Sequence, residues 1–393
     1  MTTWAAAAER LGGGLRDLTV RNVVRTTAGG TGLRVRLTNA FGEEELSVGH
    51  AYVGVPRTGL RAADRRSGLC VGAALEPGSN RRLTFGGVPE VRLAPGATVL
   101  SDPLPGRVPP RQRLAVSLYL SGDCPTLTGR NRATAPAWPP PSRAVAEREP
   151  ALAPAYRSSP GDHAADESGN PFVAESASWH WLDALTVVPP EPVRCVAVLG
   201  DSIATGVGSE AGHGWPDLLA DHAAFAAPSW PLAVANEGVS GGRVLTAGTG
   251  RSAEARLTAE VLTKPGIDTV ILPAGLNDLG HGARADELIA ACRRIVATAH
   301  AAGVCVIGAT LTPFAGAEYH TAQGERARQA VNSFVRDGGV FDGRADFDAA
   351  LRDPADPARL LPRHDCGDHL HPSAAGHRAL AEAIYSVIAG SGR

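Results

Sequence analysis

Four short segments carry side chains that could do chemistry: Gly200-Asp201-Ser202, the run Asn-Glu-Gly-Val-Ser-Gly at 236–241, Gly275-Leu276-Asn277-Asp278, and Asp368-His369-Leu370-His371-Pro372. A serine hydroxyl is a weak nucleophile until a neighbouring base accepts its proton, and that base needs a third group to orient it. Ser202, His371 and Asp368 supply these three types. Pro372 disfavours helical geometry at His371, so 368–371 is expected to be a turn that folds the carboxylate onto one imidazole nitrogen and leaves the other for Ser202. The oxyanion formed on attack needs donors. The Ser202 N–H, the Gly241 N–H and the Asn277 side-chain amide are of the right kind, and losing one such donor costs about 10²–10³ in kcat. Gly241 has no side chain to obstruct a close approach. Asp201 and Asp278 are expected to support this group without reacting; for Asp278 the alternative is a solvent-facing carboxylate. The base must start neutral, so kcat/KM is expected to rise with pH as an imidazole loses its proton.

These residues need a scaffold that brings distant segments to one edge. The apolar run 193–199 lacks polar alternation and reads as a strand buried on both faces. Further strands are expected at 232–236, 269–273, 304–310 and, more weakly, 340–347, with helical patterns at 215–225, 254–262, 285–301, 325–337 and 372–388, the last with Pro372 in its first turn. Strand and helix alternate, which predicts a three-layer α/β/α domain with a parallel sheet over 191–393. All four segments then fall at the carboxyl ends of strands, where open α/β sheets bind ligands.

The first half reads differently. Period-2 runs at 18–26, 33–38, 46–55, 81–85, 91–93, 97–102 and 113–120, separated by Gly, Pro and Asn clusters, predict an antiparallel β-sandwich over 1–190. A closing strand is expected at 184–188. The stretch 121–178 contains TAPAWPPPSR and SSPGDHAADESGNP and is expected to be a long irregular loop. The run Pro189-Pro-Glu-Pro192 marks the boundary.

Composition narrows the function classes. With 393 residues, 44% of them hydrophobic, and a formal charge of −2, the chain is long enough for two cores and implies no nucleic-acid partner. Lys264 is the only lysine, and the arginines form no basic stripe. No run reaches the length of a membrane span and the N-terminal residues lack a basic leader, so a cytoplasmic protein is expected. Six irregularly spaced cysteines, Cys70, Cys124, Cys195, Cys292, Cys305 and Cys366, read as buried thiols more readily than as a disulfide framework.

The four segments, as GDSI, GVSG, GLND and DHLHP, resemble the signature blocks of the SGNH hydrolases, the GDSL lipase and esterase family. The resemblance covers 193 to the end, with Ser202, Gly241, Asn277 and His371 at the four name-giving positions. It implies a flavodoxin-like fold and a cofactor-free serine hydrolase acting on esters of small molecules, sugars or lipids. Members often carry Thr-Asp-Gly after GDSI, where this chain has Ala204-Thr205-Gly206. With phrases such as LRVRLTNAFG and SDPLP, the first half resembles the β-rich domain that precedes the catalytic domain in some actinobacterial members, and the jelly roll of certain two-domain carbohydrate esterases.

Several rival readings use the same residues. Gly238-Val239-Ser240-Gly241-Gly242 fits the G-x-S-x-G elbow of α/β-hydrolases, but that fold places several strands before its nucleophile. The run 364–371 (His-Asp-Cys-Gly-Asp-His-Leu-His) is dense in metal-ligand types without a second cluster, so no metal is expected. Within it, Cys366 is expected to be a partly buried loop residue and His369 to point away from the site. Gly206-Val207-Gly208 lacks the G-x-G-x-x-G spacing. Thr312-Pro313-Phe314 is either an acyl-pocket wall or an ordinary loop. An acyltransferase or thioesterase would use the same triad, and a carbohydrate-binding protein would leave it idle.

Overall fold

The computed structural model describes residues 1–57, 70–131, 155–209, 214–226 and 232–390. Two compact units form: Thr3–Arg132 with Ala151–Glu191, and Pro192–Arg393 with Met1–Thr2.

In the second unit, five strands, β1 (Arg194–Val198), β2 (Leu232–Asn236), β3 (Thr269–Leu272), β4 (Cys305–Ala309) and β5 (Gly343–Ala345), form one sheet in the order 2-1-3-4-5. Every pairing in it is parallel. This is the flavodoxin-like order, whose direction reverses at β1 and opens a crevice between the loops that leave β1 and β3. Val196, Ala197 and Val198 of β1 and Val270 and Ile271 of β3 are fully buried, which is why these runs show no polar alternation.

The intervening helices are α1 (Ser202–Thr205), α2 (Trp215–Ala226), α3 (Ala253–Arg256), α4 (Leu276–Gly280), α5 (Ala285–Ala301), α6 (Ala322–Asp337), α7 (Phe347–Leu351) and α8 (Ala374–Gly390). Helix α2 packs on α8 and α5 on α6, the pairing that right-handed crossovers on either side of the reversal produce. Helix α5 buries Leu288, Ala291, Cys292, Ile295, Val296 and Ala299, a single stripe at helical spacing.

Two helix expectations are corrected. The pattern at 254–262 is not one α-helix: α3 passes into a π turn, Leu257–Val261, closed by the Leu262 N–H on the Leu257 carbonyl at 2.9 Å. Pro372 is not in the first turn of the last helix. It bridges to Asp365 instead, and Ser373 caps α8 by accepting the Gly376 N–H at 3.3 Å.

The first unit is antiparallel. Its eight principal strands in chain order are Thr2–Ala5, Leu15–Arg25, Gly30–Thr38, Leu46–Gly54, Val91–Leu93, Thr98–Leu100, Arg113–Cys124 and Leu182–Val188. One sheet runs 1-8-3-6 and the other 2-7-4-5, the jelly-roll order. The expected irregular stretch 121–178 is corrected in part. Ala155–Pro160 pairs antiparallel with Leu15–Arg25 and with Phe172–Ser176, while Leu127–Asn131 pairs with Ser178–His180 and Glu9–Leu11. Pairing partners more than 100 residues away supply order that the Gly, Pro and Ser content conceals. TAPAWPPPSR falls outside the described residues. All six cysteines are free, and Cys305, at the start of β4, is exposed, against the expected burial.

Candidate active site

Ser202 sits where β1 ends, as the first residue of the single-turn helix α1. Asp201 caps that turn, its Oδ1 accepting the Ile203 N–H at 3.0 Å. Asp201 is buried; burial pushes its carboxyl up to about 6, against the pull of the Ile203 N–H and the charges of His371 and Arg256. A helix's first N–H groups have no intrahelical acceptor, so the Ser202 N–H is free for a ligand oxygen. Behind the turn, the Thr205 hydroxyl bonds the Ser202 carbonyl at 2.9 Å and the Ser240 hydroxyl at 3.1 Å. Thr205 thus supplies polar support one residue beyond the Thr of the common family pattern, and Ser240 is engaged with Thr205 rather than with a histidine.

The 365–372 loop carries the other two residues. Asp368 Oδ1 accepts the backbone N–H groups of Leu370 (2.9 Å) and His371 (2.8 Å), and this leaves Oδ2 against His371 Nδ1 at 2.6 Å. The second ring nitrogen, His371 Nε2, lies 2.8 Å from Ser202 Oγ. Burial opposes ionisation of Asp368, but the His371 ring, its N–H and the Leu370 N–H outweigh it and hold the carboxyl well below the usual range. The loop is closed by the Cys366 N–H on the His371 carbonyl at 3.0 Å.

Glycine at 208, with φ 83°, lets the chain beyond the nucleophile touch this loop: a Cβ there would collide with the Pro372 carbonyl and Cys366. That is the role of the Gly206-Val207-Gly208 run. His377 locks the same contact from α8, its Nε2 donating to the Val207 carbonyl (2.9 Å) and its Nδ1 accepting the Trp215 N–H (3.2 Å). Burial pushes His377 down to about 4, so it is neutral and structural.

Gly241 lies on the loop after β2 and Asn277 on α4 after β3. An added Cβ at Gly241 would meet no atom of the protein, but φ is 69°, a region L side chains rarely adopt, which is a conformational reason for glycine beside the expected open approach. The Asn277 amide donates to the Gly242 carbonyl at 3.0 Å, which ties it to the Gly241 loop and leaves its second N–H available. Asp278 is buried and accepts the N–H groups of Val244 (2.8 Å) and Leu245 (3.0 Å), so it orients this loop and is no solvent-facing carboxylate. Burial raises its pKa against those two bonds.

Sequence reasoning placed Asn236 at the head of the 236–241 segment without a role; its amide bonds the Ala204 carbonyl at 2.7 Å while its Oδ1 accepts the Gly238 N–H at 3.0 Å. Such reasoning missed Arg256, which gave no signal beyond its place in a helical pattern. Thr312, Pro313 and Phe314 are buried, and the Phe314 ring packs on His320 and Tyr319. His369 faces Asp365, its Nδ1 lying 2.6 Å from Oδ2. Among the described residues, Asp365, Cys366 and Asp368 place ligand-type atoms within 4.8 Å of one another. Both carboxylates already serve histidines, and burial with the Asp368 charge pushes the Cys366 thiol up to about 12. No helix among the described residues is long and apolar enough to cross a membrane.

The chain is similar to several solved structures. The psychrotrophic esterase EstA from Pseudoalteromonas sp. shares 18% identity over 50% of this chain and 98% of its own, with a TM-score of 0.40. Axe2, an acetylxylan esterase from Geobacillus stearothermophilus, shares 22% over 50% and 94%, at 0.39. Est24, a carbohydrate acetylesterase from Sinorhizobium meliloti, shares 16% over 50% and 99%, at 0.39. No curated protein matches the sequence. Residues 198–379 match the GDSL-like Lipase/Acylhydrolase family, so this segment of the chain is a GDSL-like lipase/acylhydrolase domain.

Proposed function

We propose that the protein hydrolyses small carboxylic esters, of a simple alcohol, a sugar or a lipid, through an acyl-enzyme on Ser202. The observation that carries this reading is the continuous line from Asp368 Oδ2 to His371 Nδ1 (2.6 Å) and from His371 Nε2 to Ser202 Oγ (2.8 Å). Ser202 Oγ attacks the acyl carbonyl while His371 Nε2 takes its proton. Ionised Asp368 keeps the other proton on Nδ1 and steadies the imidazolium. The carbonyl oxygen, now negative, is held by the N–H groups of Ser202 and Gly241 and by the Asn277 amide. Collapse breaks the bond to the alcohol, which leaves with the proton from His371. Water then attacks the acyl-serine, with His371 again as base, and releases the acid.

Ser202→Ala is expected to lower kcat on p-nitrophenyl acetate by on the order of 10⁶ and to abolish labelling by a fluorophosphonate probe. Ser240→Ala should stay within about tenfold of the parent, since its hydroxyl only supports Thr205. A Ser202→Ala enzyme with more than about a hundredth of parental activity would overturn the assignment. An alcohol acceptor that outcompetes water in the same assay would redirect it to acyl transfer.

A further inference from the structure

Arg256 is fully buried at the end of α3 and belongs to none of the four motif segments. Its guanidinium spans two strand ends: Nη1 donates to the Glu237 carbonyl and Nη2 to the Gly200 carbonyl at 3.0 Å. Gly200 immediately precedes Asp201-Ser202. Glu237 opens the loop that leads to Gly241. One rigid planar group therefore joins the backbone that carries the Ser202 N–H to the backbone that carries the Gly241 N–H.

The rest of the Gly241 loop is anchored independently. The Glu237 carboxylate pairs with Lys264 at 2.9 Å, both side chains without exposure. Gly242 donates to the Val239 carbonyl at 2.8 Å, Asp278 holds Val244 and Leu245, and Ala253 donates to the Arg243 carbonyl at 2.8 Å. These bonds fix the loop's internal shape and its far end. Across the nucleophile turn, Val239 donates to the Gly200 carbonyl at 3.2 Å and Asn236 bonds the Ala204 carbonyl. Arg256 is the charged member of this cross-link. Its guanidinium donates both to the Gly200 carbonyl, which the Val239 N–H also reaches, and to the Glu237 carbonyl.

We infer that Arg256 is a positioning residue for the oxyanion site, setting the separation of the Ser202 and Gly241 N–H donors by holding the Gly200 and Glu237 carbonyls in one fork. This rests on the proposed function and deepens it. A lysine preserves the charge but not the two-pronged geometry, since an ammonium is a point charge on a flexible stem. Donor displacement of about an ångström is enough to cost on the order of 10² in rate.

Arg256→Lys is expected to lower kcat on p-nitrophenyl acetate by about 10- to 100-fold, with KM within about threefold of the parent. Phenylboronic acid, whose tetrahedral serine adduct places an oxygen among the same donors, should bind more weakly in parallel with kcat/KM. A purely structural role would lower Tm and leave kcat and boronate affinity unchanged, and that result overturns the inference. So does a fall in kcat that leaves boronate affinity at the parental value. If the lysine variant does not fold, Arg256→Gln, which retains a single donor nitrogen without burying a charge, is read against the same two outcomes. Ser202→Ala in the same assay separates the claims. Activity surviving there defeats the proposed function, whereas an inactive Ser202→Ala beside a parental Arg256→Lys defeats only the role of Arg256.

Discussion

Asp368→Asn tests the tautomer logic of the site with one atom changed. In the parent, Oδ1 is committed to two backbone donors, Leu370 N–H at 2.9 Å and His371 N–H at 2.8 Å, so only Oδ2 can face His371 Nδ1. An asparagine keeps those bonds only by leaving its oxygen at the Oδ1 position. Its NH₂ group then faces Nδ1 and demands an acceptor there. The imidazole must switch tautomer, and Nε2 now carries a proton toward Ser202 Oγ, where a base is required. The expected loss in kcat is about 10⁴, or about 5.5 kcal/mol in the barrier. KM should change little, because the carboxylate meets the ring and the backbone, not the substrate. Asp368→Ala removes the orienting group without enforcing the wrong tautomer, so the asparagine variant is expected to be at least as impaired. The assay is steady-state hydrolysis of p-nitrophenyl acetate near neutral pH, with Tm as a control for folding. An Asp368→Asn enzyme within tenfold of the parent would refute the reasoning, as would an alanine variant a hundredfold worse than the asparagine one.

Asn277→Ala is expected to reduce kcat by about 10²–10³, with a small fall in Tm from the lost bond to the Gly242 carbonyl; an unchanged kcat would remove it from the oxyanion site. Acid should destabilise each unit through a buried neutral histidine, His180 in the first and His377 in the second, both pushed down to about 4 by burial. Their folded pKa values lie below the unfolded value of about 6.5, so their contribution is complete above that pH and is lost as pH falls toward 4, by up to about 3 kcal/mol each. Asp201, raised to about 6, acts with the opposite sign below that pH. Melting curves between pH 7 and 4.5 check this, and His377→Asn should flatten the acid slope of the second unit.

The alternation of buried β-rich runs with amphipathic stripes was legible because the parallel sheet must bury both faces of its strands, and such a run carries its own signal. Ranges such as 232–236 and 285–301 coincide with β2 and α5. The turns α1 and α4 were not legible, since four or five residues are too few to show a helical period. In the first half, Ala155–Pro160 and Leu127–Asn131 escaped notice for a related reason. Their order comes from pairing across the sheets, which turn-rich composition masks.

By itself the sequence determined which residue types stand at the strand ends and in what order, because motif chemistry and hydrophobic periodicity are local properties of a chain. Only the tertiary structure decided how they meet. It brings Ser202 and His371, 169 residues apart, to hydrogen-bond distance, turns Asp278 inward onto a loop, sets Asn236 against the Ala204 carbonyl, and recruits Arg256 from a position outside every motif segment. These are consequences of sheet order and of which carbonyls lie within reach of a buried donor, and distances between remote segments are fixed by packing rather than by spacing along the chain.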